Sequence, residues 1–185
     1  MDFSLSPEIN DYRLRVRAFV EQHVMPLEKD LTAFDAHENI HESRVAEIRA
    51  LAKAQGLWAF QMPKERGGAG LGVMGMAAVY EEAARSPFGP VMFNAAPPDD
   101  GNMIVLNKVL ATEELKQRWL QPIIDGTVRS AFAMTEPQGC GSDPSLTYTT
   151  ATKQGNKWII NGRKWFITGA EGAQHFFLLA RTSDD

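Results

Sequence analysis

The chain has 185 residues, 44% of them hydrophobic, with a formal net charge of −4 and a single cysteine. A chain of this length buries about 70% of its extended surface on folding, and its interspersed acids and bases offer no basic face for nucleic acid or an anionic membrane. No apolar run is long enough to span a bilayer, and the lone Cys140 excludes an internal disulfide.

The opening segment, MDFSLSPEINDYRLRVR, has acids and a proline where a secretory leader needs a basic end and an apolar stretch. Ser6, Pro7 and Glu8 read instead as the N-cap, first residue and first-turn acid of a helix. Ile9, Tyr12, Val16, Phe19, Val20 and Val24 then recur at three- and four-residue steps as far as Pro26. A second helix is predicted over 43–55, with Val45, Ile48 and Ala52 on one face and Gly56 as its stop. Residues 67–72 are glycine-rich loop, and 74–85 form an Ala- and Met-rich helix. Pro87, Pro90, Pro97 and Pro98 make 86–99 an irregular connection. Two more helices are predicted over 101–110 and 113–124, the second capped by Thr112 with Glu113 and Glu114 in its first turn.

After Gly126 the hydrophobic period changes. The runs 128–135, 146–153, 157–160, 163–168 and 175–181 are short and rich in β-branched and aromatic residues, with Gly155-Asn156 and Asn161-Gly162 as two-residue turns. Helices followed by strands, without alternation, predict an α+β fold. An N-terminal all-α helical domain covers 1–127, and an incomplete antiparallel β-barrel-like domain, a meander, covers 128–185. Five strands at most are too few to close a usual barrel, so the fold is expected to continue past Asp185.

Four local patterns invite a chemical reading. His37, Glu38 and His41 match H-E-x-x-H, the signature of a zinc hydrolase, but the surrounding acids and asparagine read as a solvated linker or helix start. Residues 70–75 match G-x-G-x-x-G, yet no strand precedes them, so an entry loop into a helix is expected. Cys140 sits among glycines with no histidine nearby in sequence and reads as a small loop residue; His175 opens an apolar strand and reads as structural. The fourth pattern combines AFAMTEPQGCGSD (131–143) with NGRKWFITG (161–169). Thr135 and Thr168 both end predicted strands, and Gly139, Gly141 and Ser142 offer an anion nest. Strand alternation places Trp165 and Phe166 on opposite faces, one packed inside and the other free to lie on a flat ring. Hydroxyls, free backbone donors and an apolar platform are what a flavin requires.

These same segments resemble the acyl-CoA dehydrogenase family, whose T-E-P…G-S-D loop and W-I-T strand end form the flavin site of a middle β domain. The resemblance covers the whole chain. FVEQHVMPLE is similar to the family's first helix, MPKERGGAGLG to its P-E-x-x-G-G-x-G loop, and TEELKQRWLQPIIDGTVRSAFAMTEP to the junction of its α and β domains. NAAPPDDGNM is similar to the loop of a branch whose other members also carry a kinase-like domain.

The resemblance implies that FAD is the cofactor. Phe132, Ala133, Met134 and Thr135 would run along the isoalloxazine, with Thr135 hydrogen-bonding its pyrimidine edge. Gly141 and Ser142 would hold the pyrophosphate, and Ser142 would lie near the substrate thioester. Phe166 would stack on the ring, Ile167 would follow it, and Thr168 would donate to the N5 region. Two departures stand out: one extra residue between Pro137 and Ser142, and phenylalanine at 166 where many members have tryptophan. The implied reaction is α,β-dehydrogenation of an acyl-CoA. The hydride goes to FAD and electrons pass on to an electron-transfer flavoprotein. The implied setting is fatty-acid β-oxidation by a homo-oligomer in the cytoplasm, or in the mitochondrial matrix or peroxisome of a eukaryote. The family's base is a glutamate of a third, helical domain, so neither Glu136 nor Glu171 is nominated and the 185 residues alone are expected to be inactive. A non-catalytic flavin-binding or assembly module of the same fold is the alternative. Acyl chain length and branching are not legible.

Overall fold

A computed structural model describes residues 4–37, 39–138, 141 and 143–183. Seven α-helices and four strands occur among the described residues: α1 (Pro7–Phe19), α2 (Glu42–Ala54), α3 (Val73–Ala83), α4 (Gly89–Met92), α5 (Asp99–Val109), α6 (Glu113–Leu115), α7 (Gln121–Ile124), β1 (Ser130–Ala133), β2 (Thr150–Gln154), β3 (Lys157–Asn161) and β4 (His175–Leu178). The α+β class expected from the sequence is what forms: helices first, then a small β region whose barrel is not closed.

The helical part is built as its periodicity dictates. Ser6 caps α1 by accepting from the Ile9 N–H at 3.4 Å, and the helix buries Val16 and Phe19. It continues through a wide π turn (Val20–Val24) and a 3-10 turn (Met25–Lys29) that contains Pro26. α6 runs likewise through a π turn (Lys116–Leu120) into α7. Phe19, Phe60 and Phe93 meet at ring-centroid distances of 5.2 Å at the centre of the core. The short helix α4 is absent from the sequence reading; it forms inside the proline-rich connection, where Pro90 occupies its first turn.

Two buried carboxylates organise this part. Glu82, 2% exposed, accepts from Arg13 and from both Nε and Nη2 of Arg17, tying α3 to α1. Asp99, 4% exposed at the start of α5, accepts from the N–H and hydroxyl of Ser130 at 2.7 and 2.6 Å and from Arg129 Nε at 2.9 Å. Asn102 adds a bond to the Ser130 hydroxyl at 2.9 Å. β1 is thereby fastened to α5 independently of its strand partner.

The β region departs from an antiparallel meander. β1 pairs in parallel with β4, Ser130 opposite His175 and Ala133 opposite Leu178. β2 and β3 form an antiparallel hairpin across Gly155-Asn156, and a parallel bridge between Thr150 and Arg181 links the two pairs. The predicted strand over 163–168 does not form. From Trp165, whose N–H donates to Thr135 O at 3.1 Å, the chain runs back along β1 to Gly169, whose α-carbon region lies by Ser130 O. It turns there and returns as β4. The period-2 pattern reads a strand and not its partner's direction, so a descending unpaired segment and a parallel return look the same as a meander.

Removing the acceptor that joins helix to strand has a defined cost. Asp99→Ala leaves the buried N–H and hydroxyl of Ser130 without their acceptor and is expected to cost about 3 kcal/mol, read as a lowered thermal midpoint. At the end of the hairpin, an added Cβ at Gly162 would come within 2.7 Å of Thr149 Cα, so Gly162→Ala is expected to cost about 1–3 kcal/mol in the same measurement.

Candidate functional site

The two segments nominated for flavin are brought together. Phe132 to Thr135 form the end of β1 and its exit; 165–168 lie alongside, joined by the Trp165–Thr135 backbone bond. Ala133 is buried, Met134 and Thr135 are half-buried, and Phe132 is 42% exposed. Phe166 is 82% exposed, Ile167 half-buried and Thr168 exposed. Gly141 is exposed, with φ +48, while Gly139, Cys140 and Ser142 lie outside the described residues.

One expectation is overturned here. Phe166 adopts φ +50, a left-handed conformation uncommon for an aromatic residue, and this breaks the alternation assumed for a strand. The Trp165 and Phe166 rings lie together, centroids 4.6 Å apart and tilted by 38°. Neither packs inside; with Trp165 42% exposed, the pair offers a continuous aromatic surface to solvent.

Beside the aromatic pair is a charged knot that sequence reasoning missed. Glu136 is 3% exposed. Its Oε2 accepts from the Tyr148 N–H at 2.6 Å, and its Oε1 from the Thr149 N–H at 2.8 Å and Lys164 Nζ at 2.7 Å. Lys164 Nζ also donates to Met134 O at 2.8 Å. Burial by itself would raise the carboxyl's pKa, but the bonds from Lys164, Thr149 and Tyr148 together outweigh it and hold the group at about 2. In sequence Lys164 follows Arg163 and Glu136 lies between Thr135 and Pro137, so neither residue signals its burial. Asp143, the last residue of the loop motif, turns inward on its own chain: its Oδ1 accepts from the N–H and hydroxyl of Ser145, capping the turn Pro144–Leu146.

Among the described residues, the competing motifs lack the elements that their chemistry needs. α2 begins at Glu42, with His41 at its N-cap, so His37 and His41 do not stand one turn apart on a helix. Asp35 Oδ1 instead accepts from the N–H groups of His37 and Asn39, closing a turn, and Glu38 lies outside the described residues. Among the described residues no three His, Cys, Asp or Glu side chains gather as metal ligands. Gly72 is the N-cap of α3 and a 3-10 turn, Lys64–Arg66, precedes the glycines where a dinucleotide fold needs a strand. His175 sits in β4 with its ring 5.1 Å from Trp119, in keeping with a structural role. No helix among the described residues is long and apolar enough to cross a membrane.

Apart from buried Ala133, the described residues among those nominated are half-buried or exposed. A concavity of about 560 Å³ exists elsewhere, between α2 and the turn at Glu171 and Gly172, and none of the nominated residues lines it.

The sequence matches the family model for the acyl-CoA dehydrogenase N-terminal domain over residues 6–127 and that for the middle domain over 131–185. Acyl-CoA dehydrogenase family member 11 of Gallus gallus is 36% identical over 163 residues, covering 85% of this chain and 20% of that protein. A solved structure from Mycobacterium abscessus, assigned as an acyl-CoA dehydrogenase, superimposes with a TM-score of 0.87 at 33% identity over 99% of this chain and 48% of that one. A glutaryl-CoA dehydrogenase of Mycobacterium smegmatis in complex with FADH2 gives a TM-score of 0.71 at 24% identity over 97% of this chain and 44% of its own, a likeness of fold alone. The chain thus spans less than half the length of each.

The linkage of Glu136 to folding has a sign that can be measured. Its pKa is held below the ordinary 4.5, so its contribution is complete above pH 4.5 and drains away as the pH falls toward about 2. Glu136→Gln is expected to destabilise the chain at neutral pH, and the gap from wild type is expected to narrow between those limits in acid-unfolding curves.

Proposed function

Because the chain belongs to the acyl-CoA dehydrogenase family, we propose that it carries a flavin-contacting part of an oxidoreductase acting on acyl-CoA thioesters, with residues 1–127 as helical support and 128–185 as the cofactor-facing unit. The observation that carries this reading is the convergence of β1 with 165–169: Thr135 O accepts from the Trp165 N–H, and the aromatic pair beyond it is left bare.

The residues present fit FAD. Phe166 gives a ring face for stacking, and Phe132 and Met134 extend the apolar shelf. Thr135 and Thr168 supply hydroxyl and backbone donors at its edge, and Gly141 and Ser142 are assigned to the pyrophosphate, with Ser142 also near the thioester. When bound, FAD supplies the acceptor for the β-hydride in α,β-dehydrogenation. The protein's share is to orient that ring and exclude water from one face. Glu136 is not the α-proton base: three donors hold it as a carboxylate far below neutral pKa, and it is buried beside the aromatic pair. In the family that base belongs to a third, helical domain, and electrons leave for an electron-transfer flavoprotein; both belong to the proposal, as does assembly into a homo-oligomer.

Titration of the purified chain with FAD, followed by the visible spectrum after gel filtration, tests the reading. Thr168→Ala and Ser142→Ala are each expected to weaken retention by roughly ten- to a hundredfold, the value of one buried hydrogen bond. A folded chain that takes up no flavin would favour a non-catalytic assembly module, and retention untouched by both substitutions would place the cofactor elsewhere.

A further inference from the structure

We propose that Lys164 and Glu136 are positioning residues for the flavin: they set how closely the aromatic shelf approaches the end of β1, without touching the ring themselves. This rests on the proposed flavin site and adds to it the residues that govern ring geometry.

Lys164 immediately precedes the aromatic pair, and its ammonium bridges two acceptors on the other segment, Met134 O at 2.8 Å and Glu136 Oε1 at 2.7 Å. These flank Thr135, whose own carbonyl receives the Trp165 N–H at 3.1 Å. Three consecutive residues of one segment, 134–136, are therefore tied to two consecutive residues of the other, 164 and 165. Glu136 is in turn fixed by the N–H groups of Tyr148 and Thr149, which lead into β2. The lysine side chain is only 9% exposed and the glutamate 2%, so water cannot substitute for either partner without opening the packing. The segment 163–168 has no strand ladder of its own, and the knot takes the place of one. Phe166, with φ +50, lies two residues after Lys164, so the backbone that carries its ring leaves from the residue the knot anchors. A shift of the lysine would move the stacking face and the Thr135 edge relative to each other.

The test uses the purified chain with added FAD. Lys164→Met is expected to lower flavin affinity at least tenfold and to blur the vibronic structure and visible circular dichroism of the bound ring. Lys164→Arg, which keeps a cation able to reach two oxygens, is expected to recover most of both. A variant that loses stability far from the shelf supplies the control: Arg17→Met breaks bonds to Glu82 between α1 and α3 and is expected to lower the thermal midpoint while leaving the flavin spectrum as in wild type. Should Lys164→Met prove unfolded, Glu136→Gln with its neutral acceptor is read by the same spectra, with a changed ring environment expected. Wild-type binding matched by Lys164→Met and by Glu136→Gln would overturn this inference alone. Equal spectral change in Arg17→Met would reduce it to general stability and overturn it also. Failure of the wild-type chain to bind flavin would remove the underlying reading and this inference with it.

Discussion

A carboxylate that has lost its water stays charged only if protein donors replace that water, and the β region is arranged around one such group. Glu136 gathers two backbone N–H groups and an ammonium from two other stretches of chain. Each donor belongs to a segment that lacks a full ladder nearby: the approach to β2, and the unpaired run after β3. Losing one partner of a buried pair leaves the other stranded at a cost of about 3–5 kcal/mol, so the arrangement is closer to all-or-none than a row of surface contacts. The bare Trp165–Phe166 surface and the Thr135 edge, which lie next to the pair in space, inherit their geometry from it.

The same device recurs twice more, each time where elements far apart in sequence must meet. Glu82 joins α1 to α3 through Arg13 and Arg17; Asp99 joins α5 to β1 through Ser130 and Arg129. The hydrophobic core around Phe19, Phe60 and Phe93 supplies most of the driving force, but apolar contact is non-directional. Hydrogen-bonded carboxylates fix which residue faces which. A chain whose strands are few and short gains from such directional ties, since four- and five-residue strands do little to define their own register.

Helices are largely legible in the sequence because their cause is local. Ser6-Pro7-Glu8, Thr112 with its two glutamates and the period of Ile48 and Ala52 locate helices to within about two residues. The β region is legible in content and not in topology. Gly155-Asn156 announces the β2–β3 hairpin, but nothing in HFFL tells that it lies parallel to SAFA, because pairing direction is decided by where the chain turns back. The proposed site is nominated from its aromatic and hydroxyl residues, whereas the ion pair beside it is not. Glu136 and Lys164 carry no mark of their pairing, since a charge that will be buried looks in sequence like any other. The alternation assumed for Trp165 and Phe166 fails for a conformational reason: a residue in the left-handed region redirects the chain, and no pattern of hydrophobicity marks it.

Under the proposed flavin site, that backbone setting puts two competing demands on position 166. Glycine or asparagine would adopt φ near +50 at less cost, while only a flat ring gives something to lay against an isoalloxazine. If the ring stacks there as proposed, selection for a sturdier polypeptide and selection for a tighter grip on the dye would pull this codon in opposite directions.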